Sequence, residues 1–260
     1  WNGLHFRSSS MQNSIRYTDI HASFDGIVCD SSALDRTKLS LHNSTVHNCQ
    51  GVGVWARHSV IDMRSSQITN TRSDCVELNG GQTEIFNCTS AQFYPFDQGG
   101  LRGNALCVCD STNKDMQVAY KGYNGMLCVN SIVTGYADDV LMGSLNDTTN
   151  VYALCFRNCV LRTPPVADSL KYQNSVWESQ VAQRQGDSIP QGLPILKGHY
   201  KTGQDMFRLV DINKQHYDFH LDSLACAVGA ADAELLPAAD RDGKPFDKSK
   251  PDIGCYLLPT

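Results

Sequence analysis

Residues 43–54 read Asn-Ser-Thr-Val-His-Asn-Cys-Gln-Gly-Val-Gly-Val, and this stretch decides the fold because its pattern recurs along the chain. Tyr17-Thr18-Asp19-Ile20 has the same opening phrase, a turn residue followed by small and apolar positions. Later copies are Ser65-Ser66-Gln67-Ile68, Asn87-Cys88-Thr89-Ser90, Asn130-Ser131-Ile132-Val133 and Asn158-Cys159-Val160-Leu161. The shortest spacing between successive copies is about 22 residues, which indicates a repeat architecture in which each unit packs on its neighbours.

A second phrase follows the first five copies of the opening phrase. It starts with a polar turn residue and continues with apolar residues at alternate positions. Its copies are residues 25–29, 50–54, 74–78, 104–108 and 138–142. Period-two alternation bounded by Asn, Asp and Gly is typical of short strands. Several short strands per repeat predict an all-β fold, a right-handed parallel β-helix whose coils stack about 4.8 Å apart.

The alternation also predicts which side chains are buried between the sheets. The expected inward pairs are Ile27/Cys29, Val52/Val54, Val76/Leu78, Leu106/Val108 and Val140/Met142. Asparagine recurs at one turn, where stacked amides can hydrogen-bond to the coils above and below. A leucine-rich repeat has a similar period, but its consensus of leucines and asparagine is absent from the sequence.

The repeat divides the chain into three parts. Residues 1–165 are predicted to be β-helix coils, and we expect earlier coils upstream of residue 1 because an uncovered end would expose a sheet edge. Residues 166–206 are a loop-rich passage rich in proline and glycine, with room for a further strand. Residues 207–260 are predicted to form an irregular closing segment packed on the helix.

Composition limits the function classes. The 260 residues carry a formal net charge of −5, with 41% hydrophobic and 19% charged residues. A chain without a basic field is a poor partner for nucleic acid. Its apolar runs are far shorter than the roughly 20 residues needed to cross a bilayer. We therefore predict no nucleic-acid partner, no membrane span and a monomeric chain.

The eleven cysteines include no Cys-x-x-Cys pair. Small buried hydrophobic side chains are the ordinary role of such residues, so we predict that most are reduced and buried. Cys29 falls in an inward column, and Cys88 and Cys159 share one column of the opening phrase. Cys75 and Cys107 are expected to be exposed, because the alternation places both on outward positions.

The end of the chain resembles a known family. Tyr217-Asp218-Phe219-His220-Leu221, residues 223–229, Asp240-Arg241-Asp242-Gly243 and residues 251–256 (Pro-Asp-Ile-Gly-Cys-Tyr) are similar to the ending of bacterial right-handed β-helix proteins of the pectate-lyase-like superfamily. The chain departs from that ending at Leu224-Ala225, Lys244-Pro245 and Cys255. The resemblance implies a secreted, periplasmic or cell-surface protein that acts on or binds acidic polysaccharide.

Acidic residues of the second phrase give the candidate site. Asp74, Glu77, Asp138 and Asp139 are expected on one outward face, with Glu77 and Asp139 about 10 Å apart if the coils stack in register. Glu77, Asp138 and Asp139 are the candidate catalytic residues. Candidate substrate-binding residues are Asp74, Arg72, Arg102 and Tyr94, the last two in an insertion spanning residues 94–103. Each aspartate has a simpler role as a turn residue.

Two chemistries are open for this face. Carboxylates about 6–10 Å apart suit an inverting glycosidase, with one acid and one base. Alternatively, Asp138 and Asp139 could hold Ca²⁺ against a uronate carboxylate while Lys or Arg abstracts a proton. The sequence requires no cofactor. Calcium is the one cofactor that the Asp138-Asp139 doublet could bind. The expected function is thus a lyase or hydrolase of acidic polysaccharide, or else a non-catalytic surface adhesin or glycan-binding scaffold.

Overall fold

The computed structural model describes residues 1–95, 103–109, 124–136, 140–142, 152–163, 172–178 and 203–258. Within these ranges it confirms the all-β parallel β-helix. The strands are β1 (Leu4–Phe6), β2 (Asn13–Arg16), β3 (Asp19–His21), β4 (Ile27–Cys29), β5 (Leu39–His42), β6 (Thr45–His47), β7 (Val54–Arg57), β8 (Val60–Arg64), β9 (Gln67–Thr69), β10 (Val76–Asn79), β11 (Gln82–Phe86), β12 (Thr89–Gln92), β13 (Leu106–Cys109), β14 (Asn124–Val129), β15 (Ile132–Gly135), β16 (Val140–Met142), β17 (Tyr152–Arg157), β18 (Val160–Leu161), β19 (Tyr172–Gln173), β20 (Val176–Trp177), β21 (Phe207–Asp211) and β22 (His216–Leu221). Two short 3-10 helices span Gly203–Met206 and Ala233–Leu235.

Three parallel sheets form the walls of the helix, and each of the first six coils contributes one strand to each sheet. Sheet A has the order β1-β4-β7-β10-β13-β16. Sheet B has the order β2-β5-β8-β11-β14-β17-β19, and sheet C the order β3-β6-β9-β12-β15-β18-β20. Each strand therefore pairs with the equivalent strand of the next coil, as in a solenoid.

The core consists of inward columns in register. In sheet A, Ile27 pairs with Val54, Val54 with Val76, and Val76 with Leu106. The second column contains Cys29, Ala56, Leu78 and Val108, all of them buried. The predicted inward pair Val52/Val54 is wrong by two residues. The inward pair of that coil is Val54/Ala56, because β7 begins at Val54.

The turn from sheet B to sheet C is the same in every described coil. Its corner residue has a positive φ of about 50°, and these residues are Tyr17, Asn43, Ser65, Asn87, Asn130, Asn158 and Asn174. Asparagine tolerates this left-handed conformation better than most residues because its short side chain can hydrogen-bond locally. The opening phrase of the repeat is therefore a one-residue corner followed by a sheet C strand.

A ladder of small polar side chains lines the inside of that corner. The Thr18 N–H donates to Ser44 Oγ, and the Ser44 N–H donates to Ser66 Oγ, both at 3.2 Å. The Cys88 N–H donates to Ser131 Oγ at 3.0 Å. Each hydroxyl thus satisfies a buried backbone donor of the preceding coil, which explains the small residue at the second position of the phrase.

The described part of the closing segment, together with the 3-10 helix that precedes it (residues 203–258), packs on the outer face of sheet C. Its antiparallel hairpin β21–β22 contributes Phe207 and Phe219 to a second apolar cluster that includes Ile132 and Val160 of sheet C. The rings of Phe207 and Phe219 meet edge-on at 5.0 Å. This cluster lies on the late coils of the helix, so the outer face of sheet C is apolar there and polar at the early coils.

The corner asparagines hydrogen-bond to the closing segment. Asn130 is the clearest case, because its amide donates to Asp232 O at 3.0 Å and accepts from the Asp232 N–H at 2.7 Å. Asn43 and Asn87 donate to Ala239 O and Asp252 O, each at 3.2 Å. A direct amide contact between coils, as expected for the column, joins Asn130 Nδ2 to Asn87 Oδ1 at 3.3 Å.

The cysteines are mostly buried, as predicted. All eleven are free thiols, eight of them buried, including Cys29, Cys88 and Cys159. Cys107 is partly exposed as expected, but the prediction for Cys75 is wrong because its side chain is fully buried. Cys75 precedes β10 and lies in the core, where Thr71 Oγ1 donates to its Sγ at 3.5 Å. In the described part of the chain, no helix is long and apolar enough to cross a bilayer.

Candidate functional site

The outward face of sheet A contains the sequence-predicted Glu77. The register places Glu77 beside Trp55 on β7 and beside Cys107 on β13. Two strands beyond Glu77, the corresponding backbone position is Leu141. Asp138 and Asp139 lie outside the described residues.

Trp55 and its neighbours form an ordered polar platform on this face. The Arg57 guanidinium lies 3.7 Å from the centre of the Trp55 ring, a cation–π contact. The Trp55 Nε1–H donates to Asn79 Oδ1 at 2.5 Å. The indole ring is therefore fixed by one contact on its face and one at its edge, and it remains partly exposed.

Glu77 is partly buried next to this platform. Its burial and the nearby Asp74 carboxylate raise the pKa of Glu77, while a hydrogen bond from Asn79 and the charge of Arg57 oppose that shift. A carboxyl group with a raised pKa retains its proton closer to neutral pH, which is what a general acid needs. Among the described residues of this face, Glu77 is therefore a candidate for proton transfer.

Asp74 has a structural role at the start of β10. Its Oδ1 accepts the Asn104 backbone N–H at 2.6 Å and the Asn104 side-chain amide at 3.0 Å. Burial raises the pKa of Asp74 despite these hydrogen bonds. The carboxylate thereby joins two successive coils and contributes a negative field at Glu77.

The other predicted binding residues are only partly brought together. Arg72 is exposed in the turn that leads to β10, and Tyr94 is partly buried after β12, where its N–H donates to Gln92 Oε1 at 3.3 Å. Arg102, like residues 96–101 of the insertion, lies outside the described residues.

Trp55 and Arg57 are the functional candidates that sequence reasoning did not assign to the site. With Val52/Val54 taken as the inward pair, Gly53 falls at the outward position beside Val28, where the structure has Trp55, and Arg57 follows two residues later. The signal was present in the sequence, since Val54-Trp55-Ala56-Arg57 alternates as a strand should.

A polar groove of about 440 Å³ lies between the early coils of sheet C and the closing segment. Sheet C contributes Asp19, Thr45, His47, Gln67 and Thr69 to it, and the closing segment contributes His216, Asp218, His220, Arg241, Asp242 and Tyr256. Sequence reasoning missed this groove because its two walls are about 200 residues apart in the chain. The alternating apolar pattern of the strands in one wall does not predict which segment forms the opposite wall.

Hydrogen bonds order the wall formed by the closing segment. The His220 ring nitrogens contact Asp218 Oδ1 at 2.6 Å and Asp242 Oδ2 at 2.9 Å. The His220 ring also lies 4.1 Å from the Tyr256 ring, and Tyr256 donates its hydroxyl to Gln67 Oε1 at 2.8 Å. Despite its partial burial, Asp218 has a lowered pKa because His220 donates to it and Arg208 lies nearby.

Sheet B presents a different surface, a network of paired charges beside a depression of about 470 Å³. Asp62 accepts from Arg64 Nε at 2.7 Å and pairs with His42 Nε2 at 2.9 Å. Arg64 Nη2 also contacts Glu84 Oε2 at 2.9 Å. Because these charged groups pair with one another, the network is not a candidate catalytic site. Its residues can be substituted as controls for the other surfaces.

The comparisons with known proteins leave the family open. No protein-family model matches the chain, and neither a curated protein nor a solved structure is significantly similar to it.

Proposed function

We propose that this chain is a carbohydrate-directed protein of the pectate-lyase-like type, secreted or at a cell surface, which acts on acidic polysaccharide at the outward face of sheet A. The observation that carries the proposal is the juxtaposition of Trp55, Arg57 and Glu77 on adjacent strands. Sugar rings stack on aromatic faces, uronate carboxylates pair with arginine, and glycosidic cleavage requires a proton donor.

Glu77 is the proposed acid–base residue. Because its pKa is raised, Glu77 keeps the proton that cleavage requires to higher pH. A sugar stacked on Trp55 would lie next to this carboxyl group. Asp74 tunes Glu77 electrostatically and is a positioning residue, because its oxygen is already engaged by Asn104.

The second candidate function is a non-catalytic glycan-binding scaffold. Asn79 already accepts the Trp55 indole N–H, and Asp74 already joins two coils through Asn104. On the described part of this face, Glu77 is then the one carboxyl group without a coil-joining role, which favours the scaffold. Inverting hydrolysis needs two carboxyl groups, one acid and one base. A scaffold would use the same Trp55 platform for binding and would release no product.

The test is a panel of uronic-acid polysaccharides incubated with the protein, with and without calcium. Reducing ends report hydrolysis, unsaturated ends report elimination, and affinity electrophoresis reports binding. We expect Trp55→Ala to weaken binding by about two- to tenfold, since a stacking contact on an aromatic ring contributes about 0.5–1.5 kcal/mol. Glu77→Gln is expected to abolish hydrolysis while retaining binding.

Matched controls lie away from this face. Glu84→Gln removes a carboxylate of sheet B, and Phe24→Ala removes an aromatic ring that is 57% exposed. Binding lost in Trp55→Ala with no product from the unaltered protein supports the scaffold. Failure of every polysaccharide to bind, or equal effects of the site and control variants, would overturn the proposal for sheet A.

A further inference from the structure

Three side chains with metal-ligating atoms meet on the first two strands of sheet C. Asp19 and His21 belong to β3, and His47 belongs to β6, where the register pairs it directly with His21. Asp19 precedes His21 by two residues, so period-two alternation puts all three on the same outward face. Among the described residues, this is the one group of three His, Cys, Asp or Glu side chains whose ligand atoms lie within 4.8 Å of one another.

The distances within this cluster fit a shared cation. Asp19 Oδ1 lies 3.1 Å from His21 Nδ1 and 3.0 Å from His47 Nε2. Nitrogen and oxygen ligands bind Zn²⁺ at about 2.0–2.2 Å, so two ligands of one ion are about 3–4 Å apart. All three ligand atoms lie within 4.8 Å of one another, so side-chain adjustment is needed to bring every pair to this spacing.

We propose that Asp19, His21 and His47 form a binding site for a divalent transition-metal ion, with Zn²⁺ as the reference ion. Two imidazoles and one carboxylate favour Zn²⁺, Cu²⁺, Ni²⁺ or Co²⁺, whereas Ca²⁺ and Mg²⁺ prefer all-oxygen ligands. Three protein ligands leave at least one coordination position open, which distinguishes catalytic zinc sites from closed structural ones.

Two of the three proposed ligands border a surface that can hold a ligand. Asp19 and His47 both line the polar groove, and Arg241 and His220 line its opposite side. Arg241 is oriented by its Nε–H, which donates to Thr45 Oγ1 at 2.7 Å. This site is on a different sheet from Trp55 and Glu77 and does not rest on the function proposed for sheet A.

Calorimetric titration of the tag-free full chain with ZnCl₂, and separately with CaCl₂, tests the site. We expect one Zn²⁺ per chain at this site and markedly weaker binding of Ca²⁺. His21→Gln and His47→Gln should each weaken Zn²⁺ binding by about tenfold or more, since each removes one of three ligands. His42→Gln is the matched control, because His42 also pairs with an aspartate on a neighbouring strand, at 2.9 Å.

Several outcomes would overturn the proposal. They are no Zn²⁺ binding, Ca²⁺ binding as tight as Zn²⁺ binding, or an affinity that His21→Gln and His47→Gln leave unchanged because thiols or other histidines bind the ion. Thermal unfolding without metal checks that each variant folds. If a histidine variant does not fold, Asp19→Asn replaces it, because that side chain is 53% exposed and keeps its shape. Asp19→Asn should weaken Zn²⁺ binding by a similar factor.

Discussion

Asn130 meets two structural demands at a single corner. Its φ of +51° is in the left-handed region, and its side-chain amide binds both backbone groups of Asp232 in the closing segment. Asparagine satisfies both demands, whereas glycine satisfies only the first and alanine neither. The corner column therefore couples the coils to the segment that closes them.

Substitutions at Asn130 should separate these two contributions. We expect Asn130→Gly to reduce the free energy of unfolding by about 1–3 kcal/mol, because buried hydrogen bonds are lost. Asn130→Ala should cost about 1 kcal/mol more, because alanine is strained at positive φ. Chemical denaturation of the three proteins measures both differences. Equal stabilities of the Gly and Ala variants would show that this corner can relax to negative φ.

Glu77 and Asp62 should have opposite effects on pH-dependent stability. Glu77 has a raised pKa in the folded protein, so folding favours its protonated form and stability falls as pH rises above the ordinary value of 4.5. Asp62 is partly buried, but hydrogen bonds from His42 and the charge of Arg64 lower its pKa, so stability is lost as pH falls through and below the ordinary value of 3.8.

Unfolding of two variants across the acidic range checks these signs. Relative to the unaltered protein, Glu77→Gln should gain stability between about pH 4 and pH 7, by at most about 1 kcal/mol because solvent screens this partly exposed group. Asp62→Asn should be less stable at neutral pH, with a deficit that shrinks toward about pH 3. If Glu77→Gln shows no pH-dependent difference, the proposed acid–base role of Glu77 loses its electrostatic basis.

At the level of strands, local alternation predicted the coils but misplaced one strand. The stretch Val52-Gly53-Val54 alternates like a strand, yet Gly53 is a point of close approach between coils. A Cβ at Gly53 would lie 2.4 Å from the Cys75 carbonyl oxygen and 2.8 Å from Ile68. Glycine is therefore required there by packing and does not mark an outward position. A single sequence does not distinguish these two uses of glycine.

The hairpin β21–β22 should depend on Phe219 for its attachment to sheet C. Phe219 is buried, stacks with Tyr217 at 5.9 Å and meets Phe207 edge-on. Phe219→Ala should destabilise the hairpin by about 3–5 kcal/mol, so its amides should exchange hydrogen faster than those of the β-helix. Hydrogen exchange by mass spectrometry measures this.

The exposed Phe24 supplies the comparison for that experiment. Phe24→Ala should change the stability by no more than about 0.5 kcal/mol, since the ring is mostly in solvent. Equal exchange of the hairpin in Phe219→Ala and in the unaltered protein would mean that the backbone hydrogen bonds of the closing segment suffice to hold it on sheet C.

For the whole molecule, the repeat predicted the architecture because stacking uses the same contacts in each coil. The groove and the Asp19–His21–His47 cluster were beyond the reach of that reasoning. Asp19 and His47 belong to ordinary copies of the repeat, and their meeting depends on a strand register that a one-residue slip would destroy. The opposite wall of the groove comes from a segment whose docking on sheet C has no periodic signature.

The burial of the thiols is a property of the whole molecule and gives a direct test of the coil register. Eight of the eleven cysteines are buried, while Cys107, Cys109 and Cys155 are partly exposed. Burial raises the pKa of Cys29 and Cys88 to about 12, so their reactive thiolate form is scarce at pH 8. We therefore expect at most three thiols to react with a disulfide reagent in the native protein, and all eleven to react in denaturant.

Two variants assign the reactive thiols. Burial and the Asp74 carboxylate raise the pKa of Cys107, so its reaction should be slow but complete without unfolding. Cys107→Ser should lower the native count by one, whereas Cys75→Ser should leave the native count unchanged and lower only the denatured count. The reverse result would place Cys75 on the outer face of sheet A. In that case the alternation of β10 would extend back through Cys75, on the same face as Glu77.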